Sequence, residues 1–298
     1  MSFDDIQVAF GQPMEVGECP LWHHVEKKLY WVDIDGRAVH RLDPASGAHS
    51  WWPMESQPSA IAIAAGGGIV VAQRSGIVHL DTSSGAVTPI APAPYDTATM
   101  RFNDGRVDPA GRFWIGGRDE APGREAAAMY VLERGRLRTQ WPGALKNSNG
   151  LGFSPDGRRM YHTDTATHRI DCYDFDASAG TATNRRTFHE FAANKGAPDY
   201  GGRPDGAAVD CEGNYWCAMF EGGRVLCLSP EGEVLREVKL PLRCPTMLAF
   251  GGDDLRTLYI TSASHGRPAE ERARYPLTGS VLSLRVDTPG RPEPSYHP

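Results

Sequence analysis

Apolar and polar residues alternate along most of the chain in short runs, and clusters of Gly, Pro, Asp and Asn interrupt those runs. A period of two with turn-forming residues at the breaks predicts short β-strands joined by hairpins. No long stretch repeats apolar residues at helical spacing. One pattern returns six times: a turn, an aromatic-rich strand, a polar turn, a second alternating strand, then a Gly-bearing turn. Its members begin at Lys28-Leu-Tyr-Trp-Val-Asp33, Gly68-Ile-Val-Val-Ala72, Asp108-Pro-Ala-Gly-Arg-Phe-Trp-Ile115, Ser154-Pro-Asp-Gly-Arg-Arg-Met-Tyr161, Asp210-Cys-Glu-Gly-Asn-Tyr-Trp216 and Asp253-Asp-Leu-Arg-Thr-Leu-Tyr-Ile260. Each is answered by a second strand, such as Gly36–Asp43 in the first and Gly279–Leu284 in the last.

One such hairpin occurs in any β fold, but six in phase at intervals of roughly 40 to 55 residues match the repeat of a propeller blade. The expectation is an all-β, six-bladed β-propeller of four-stranded antiparallel blades, with residues 1–298 as a single domain. The uneven intervals place insertions at 118–128, 194–202 and 264–276, as loops on one end, with a helical turn at Ala269-Glu-Glu-Arg-Ala. Trp51 and Trp52 are expected between blades.

A propeller brings the starts of its innermost strands together around one channel, so the polar segments ahead of each strand pair are where chemistry is sought. Four stand out: Gly17-Glu-Cys-Pro20, Met100–Asp108, Lys146–Phe153 and Arg203-Pro-Asp-Gly206. Each offers a metal-capable or hydrogen-bonding side chain at what reads as one phase, namely Glu18, Asn103, Asn149 and Asp205. Asp205 alone, in Pro-Asp-Gly, is an ordinary turn residue. Two carboxylates with an amide oxygen make an all-oxygen site suited to Ca²⁺, Mg²⁺ or Mn²⁺, with Zn²⁺ also accepted. Three protein ligands would leave positions open for water and substrate. The alternative is a channel lined by polar turn residues that binds nothing.

Net charge is −6, so no basic field draws nucleic acid or anionic membranes, and no run approaches the roughly 18 apolar residues of a membrane helix. The opening Met-Ser-Phe-Asp-Asp-Ile lacks an apolar leader core, and the six cysteines form no Cys-x-x-Cys pair. These features give the expectation of a reduced, cytoplasmic protein, monomeric or a small homo-oligomer. Cys217 and Cys227 read as small core residues, and Cys19, without a His partner, is no nucleophile. His23 and His24 read as solvated, His162 as a residue that could face the channel, and Asp164 as a turn anchor or a carboxylate behind the ligands rather than a ligand. There is no Gly-x-Ser-x-Gly elbow and no phosphate or dinucleotide loop.

Several segments resemble the senescence marker protein/gluconolactonase family, the regucalcin-like propellers. They are Gly-Glu-Cys-Pro-Leu-Trp22, Arg101-Phe-Asn-Asp-Gly-Arg-Val-Asp-Pro-Ala-Gly-Arg112, Ser148-Asn-Gly-Leu-Gly-Phe-Ser-Pro-Asp-Gly157 and Pro204-Asp-Gly-Ala-Ala-Val-Asp-Cys-Glu-Gly-Asn-Tyr-Trp216, in family order from about Glu15 to Leu284. The resemblance implies one divalent metal (Ca, Zn, Mn, Mg or Fe(II)) on Glu18, Asn149 and Asp205. It also implies a sugar-lactone site at Arg101 and Asn103, with Glu120 or Glu125 adding a carboxylate from a loop that departs from the family pattern. The implied activity is opening of gluconolactone, xylonolactone or arabinonolactone to the aldonic acid, with Asp205 as proton acceptor. The alternatives are a non-catalytic calcium-binding regulatory propeller and a promiscuous esterase or phosphotriesterase at the same metal.

Overall fold

The computed structural model describes residues 5–198 and 200–298. Its strands form six four-stranded antiparallel sheets, the blades of a six-bladed propeller, and the one α-helix among the described residues is Ala269–Arg274, at the expected helical turn. The inner strands are Gly17–His23, Pro58–Ile63, Met100–Val107, Ser148–Phe153, Arg203–Val209 and Pro245–Gly251, for blades 1 to 6. The repeats read from the sequence are the second and third strands of each blade: Lys28–Asp33 with Ala38–Leu42 in blade 1, and Tyr215–Phe220 with Arg224–Leu228 in blade 5.

Alternation sends successive side chains of one strand into the seams on either side of its blade. In blade 5, Tyr215 and Cys217 enter the core shared with blade 4, whereas Trp216 enters the core shared with blade 6. The same device puts Trp114 between blades 3 and 4, and Trp22 and Trp31 between blades 6 and 1. The Asp that opens two repeats acts as a clamp on its own turn. Asp108 accepts hydrogen bonds from the Ala110 and Arg112 amides and from Trp114 Nε1 at 2.9 Å. Asp210 does the same with Glu212, Asn214 and Trp216 Nε1 at 3.0 Å.

Two chain ends complete the ring. The outermost strand of blade 6 is the N-terminal strand Ile6–Phe10, which pairs with Val281–Arg285. Its three blade partners come from the other end of the sequence, so a strand ladder locks the ring shut. The C-terminal tail crosses the ends of the inner strands: Pro289 O accepts from Cys211 N, Glu293 pairs with Arg106, and Tyr296 N donates to Ile63 O at 2.7 Å. Tyr296 is fully buried, and its hydroxyl accepts from Gly135 N. The tail therefore covers one mouth of the channel.

Some readings of the sequence are corrected. Trp51 is 57% exposed; only Trp52 packs inward, stacked on Tyr30. His23 is buried rather than solvated, with Nδ1 accepting from the Glu26 amide. Asp164 is the expected turn anchor, accepting from the Lys146 and Asn147 amides.

The closing strand rests on blade 1 through rings. Phe10 lies 4.4 Å from His49 and 5.1 Å from Trp31, His40 stacks on Trp31 at 5.2 Å, and the two His nitrogens meet at 3.1 Å. Burial, then His49, pushes His40 down to about 4. An unfolded His titrates near 6.5, so between pH 6.5 and 4 the unfolded chain binds the extra proton and stability falls as pH falls. The expected loss from His40 is about 2–3 kcal/mol. Urea midpoints measured from pH 7 to 4.5 should fall less steeply in His40→Phe than in the wild type, and identical slopes would refute the assignment.

Candidate active site

Every inner strand carries a bulge near its start, where one or two residues drop out of the ladder with the second strand. Pairing breaks between Glu18 and Leu21, Phe102 and Gly105, Asn149 and Gly152, Pro204 and Ala207, and Pro245 and Leu248, with a shorter break at Pro58 to Ala60. A bulge releases backbone pairing and re-aims side chains. The four residues taken as sharing one phase occupy two adjacent positions. Glu18 and Asn149 are the last paired residues before the bulge, whereas Asn103 and Asp205 lie inside it. Cys19 and Gly150 follow Glu18 and Asn149 with φ of 45° and 59°, the left-handed turn that makes the switch. At Gly150 a Cβ would lie 2.4 Å from the Tyr215 hydroxyl, so glycine is required there on two counts.

The bulges open onto a cavity of about 310 Å³, within the range of small-molecule sites. Glu18, Arg101, Asn103, Glu120, Asn149 and Asp205 all line it, together with Asp35, Arg118, Asn147, Thr165, Arg203, Thr246 and His265. Glu125 lies outside it and is exposed. His162 is also outside, buried with Nε2 2.8 Å from Ser148 Oγ.

A hydrogen-bonded chain runs behind the cavity across three blades. Arg101 Nη1 donates to Asn103 Oδ1 at 2.7 Å. Asn103 Nδ2 donates to Ser148 O and to Asn149 Oδ1 at 2.9 Å. Asn149 Nδ2 donates to Thr165 Oγ1, which donates to Pro204 O, one residue before Asp205. Both amide hydrogens of Asn103 are thus committed, so its free capacity toward a ligand is as acceptor. Asn149 Oδ1 keeps one lone pair for the cavity. Glu120 accepts from Arg74 Nη2 at 2.7 Å and lies 3.4 Å from Arg101 Nε. Burial raises its carboxyl, but Arg74 and Arg101 outweigh that and hold it below the usual range.

The two remaining carboxylates are different. Glu18 and Asp205 are each 7% exposed, and neither has an ion pair among the described residues. Among the described residues Glu18 Oε2 accepts only from the neighbouring Cys19 amide, and the Asp205 carboxylate accepts no hydrogen bond. Burial, then Asp104, pushes Asp205 up to about 7, against the pull of Arg203, Arg118 and Arg101. Burial, then Asp205 and Asp104, pushes Glu18 well above the carboxylate range. Asp104 is itself buried, with Oδ2 accepting from Leu151 N and Oδ1 unpartnered. Burial also drives the Cys19 thiol upward, which keeps it protonated and inert.

A buried, unpartnered carboxylate beside a second one is a site that lacks positive charge. Glu18, Asn149 and Asp205 present oxygen toward one cavity, and that donor set fits a hard divalent cation. Among the described residues no three His, Cys, Asp or Glu side chains gather as metal ligands, which is consistent with an amide supplying the third oxygen. Sequence reasoning missed Asp104, Arg118, Arg203, Thr165 and His265. Only Asp104 and Arg203 carried a signal, as members of the Asn-Asp-Gly and Arg-Pro-Asp-Gly segments already singled out.

Comparison with known proteins agrees with this architecture. Residues 16–264 match the family model described as the SMP-30/Gluconolactonase/LRE-like region. A 6-deoxy-6-sulfogluconolactonase of Pseudomonas putida is 45% identical over 96% of both chains, and a regucalcin of Gallus gallus is 35% identical over 95% of both. The crystal structure of a calcium-binding protein, regucalcin, from Agrobacterium tumefaciens superposes with a TM-score of 0.91 at 29% identity, covering 97% of this chain and 96% of that one. The chain belongs to the SMP-30/gluconolactonase/LRE-like family.

Proposed function

We propose that the chain hydrolyses a sugar lactone to its open-chain aldonic acid, with a divalent cation held by Glu18, Asn149 and Asp205. The observation that carries this reading is the Asp205 carboxylate, buried without a partner on the wall of a cavity of small-molecule size. Its support from similarity is the lactonase of Pseudomonas putida, 45% identical across nearly the whole chain. Gluconolactone, xylonolactone and arabinonolactone are the substrates considered, and Ca²⁺, Mg²⁺, Mn²⁺, Zn²⁺ and Fe²⁺ the cations.

When bound, the cation supplies positive charge that polarises the lactone carbonyl and offsets charge developing on its oxygen. The remaining work falls to the chain. Water adds to the carbonyl carbon, the ring C–O bond breaks, and the ring oxygen leaves as a hydroxyl. Asp205 accepts the proton from the water and returns it to the ring oxygen. A carboxylate facing a cation becomes a weaker base, so this role requires one Asp205 oxygen to stay free of it. Arg101 donates to a sugar hydroxyl from Nη2, the nitrogen its internal contacts leave free. Asn103 Oδ1 and Glu120 accept from hydroxyls. Positioning by these three fixes the ring so that its carbonyl meets the buried end of the cavity.

A second reading, calcium binding without catalysis, is favoured by the all-oxygen donor set and shares these residues. Hydrolysis of other esters or of phosphotriesters would use the same centre. Turnover separates the readings. With gluconolactone, acid release followed in a weakly buffered indicator assay should fall at least 100-fold on chelation, in Asp205→Ala and in Asn149→Ala, and return to the chelated wild type on adding the cation. Activity that survives both chelation and Asp205→Ala sinks the proposal.

Stability gives a separate check. Above pH 7 in the chelated protein Asp205 is a buried charge without a hydrogen-bond or ion-pair partner among the described residues, so Asp205→Asn should there raise the thermal midpoint by roughly 2–5 °C while abolishing turnover. A lowered midpoint in the chelated variant would show that the carboxylate has a partner after all.

A further inference from the structure

Two arginines on the cavity wall have no part in the chemistry above. Arg118 is the cross-strand partner of Arg101 in blade 3, so the two guanidinium-bearing side chains share a face, where like charges repel. Arg101 is answered by Glu120, but Arg118 has neither a hydrogen bond nor an ion pair among the described residues. Arg203 opens the inner strand of blade 5. Its guanidinium lies over the Phe220 ring at 5.3 Å, and its Nε is buried with no partner. Its one carboxylate, Glu221 at 3.2 Å, is shared with Lys195 at 2.8 Å and Arg267 at 3.6 Å.

Charge in the cavity points the same way. Once a divalent cation offsets Glu18 and Asp205, three arginines (Arg101, Arg118 and Arg203) face two carboxylates, Asp35 and Glu120. Asp35 already holds Gln57 at 2.6 Å and His265 at 3.1 Å. The surplus is positive, and it lies at a particular depth. Glu18, Asn149 and Asp205 are buried, whereas Arg118 is exposed, at the rim. Folding gains nothing from an Arg118 guanidinium without a partner, set beside an Arg203 whose one carboxylate is shared with Lys195 and Arg267. A ligand with negative charge does explain them, because a planar N–H fork matches an oxyanion in geometry as well as in sign.

We propose that Arg118 and Arg203 form a subsite for an anionic group at the end of the substrate remote from the lactone carbonyl. This rests on the sugar-lactone reading. It narrows the substrate to an aldonolactone whose terminal carbon bears a phosphate, sulfonate or carboxylate. With the carbonyl at the buried donors, the far end of the sugar reaches toward the mouth of the cavity. A charge placed there meets the arginines as the ring meets Arg101 and Asn103.

The test measures kcat/KM of the cation-loaded chain on gluconolactone and on its 6-phosphate, 6-deoxy-6-sulfonate and 6-carboxylate counterparts. At least one anionic lactone should exceed the neutral one tenfold or more, and the three arms tell tetrahedral from planar anions. Arg118→Ala, at an exposed and unpartnered position that folding does not need, should shrink that preference at least tenfold, chiefly through KM. Arg118→Lys should restore part of it, since it keeps the charge and loses the fork. A neutral lactone as good as all three, or equal losses on neutral and anionic lactones in Arg118→Ala, overturns the subsite and leaves the lactonase reading standing. If no lactone turns over, the lactonase reading fails and calorimetry decides the subsite by itself. Tighter binding of 6-phosphogluconate than of gluconate, lost in Arg118→Ala, supports it, and equal binding overturns it.

Discussion

The bulge near the start of each inner strand is the constraint on which the site depends. A regular ladder would point alternate side chains of these strands into the seams, where the cores between blades are apolar. Releasing one or two residues from pairing frees Asn103 and Asp205, and with Glu18 and Asn149 at the last pair before the break all four line the cavity instead. Ring closure then makes the cost unavoidable. Six inner strands around one axis leave Glu18 and Asp205 only 7% exposed, and two carboxylates buried there cost several kcal/mol each unless a cation answers them. The seams offset that cost by burying large rings, among them Trp31, Trp114, Tyr161 and Tyr215, all fully buried. The sheet edge that would let the ring open is covered by Ile6–Phe10.

The chain of hydrogen bonds from Arg101 to Pro204 explains why an amide occupies position 149. Asn149 accepts a hydrogen bond from Asn103 and donates one to Thr165, so both ends of its side chain are fixed. An aspartate could not donate to Thr165. It would also add another negative charge to a channel that already holds Glu18, Asp104 and Asp205. The amide therefore contributes an oxygen without further repulsion, and its backing holds that oxygen in place. Blades 3, 4 and 5 are linked through this chain, so the donors from blades 4 and 5 cannot shift independently.

Much of the fold was legible in the sequence because its second and third strands keep a period of two and end at Asp-Gly or Pro-Gly turns. Lys28–Asp33 and Arg224–Leu228 lie within a residue of where the pattern put them. What escaped was whatever depends on contacts distant in sequence. The closing strand Ile6–Phe10 has no turn linking it to its partner, and the tail across the channel has no periodicity at all. The bulge moved Glu18 and Asn149 one position away from Asn103 and Asp205, because spacing counts residues and a bulge inserts them. His23 looked like a turn residue and is buried by the fold around it. Glu120 and Glu125 were indistinguishable in sequence; Arg74 and Arg101 draw the first to the cavity, and nothing draws the second. Arg118 gave no signal, since an arginine without a partner is visible only once its surroundings are known.

The two ends of the channel are built for different purposes. At one end Glu293 pairs with Arg106, and Tyr296 sits fully buried against Ile63, so the tail seals the inner strands with an ion pair and a ring. At the other, the strands are loosened by bulges and overhung by the 120–126 and 264–276 segments, which bring Glu120 and His265 to the rim. Sealing the first end leaves the second as the mouth through which substrate enters and product leaves. Arg118 is exposed at that mouth, whereas Asp205 is buried. In the proposed reading, charge at the rim acts first, and the buried carboxylates act on what the rim admits.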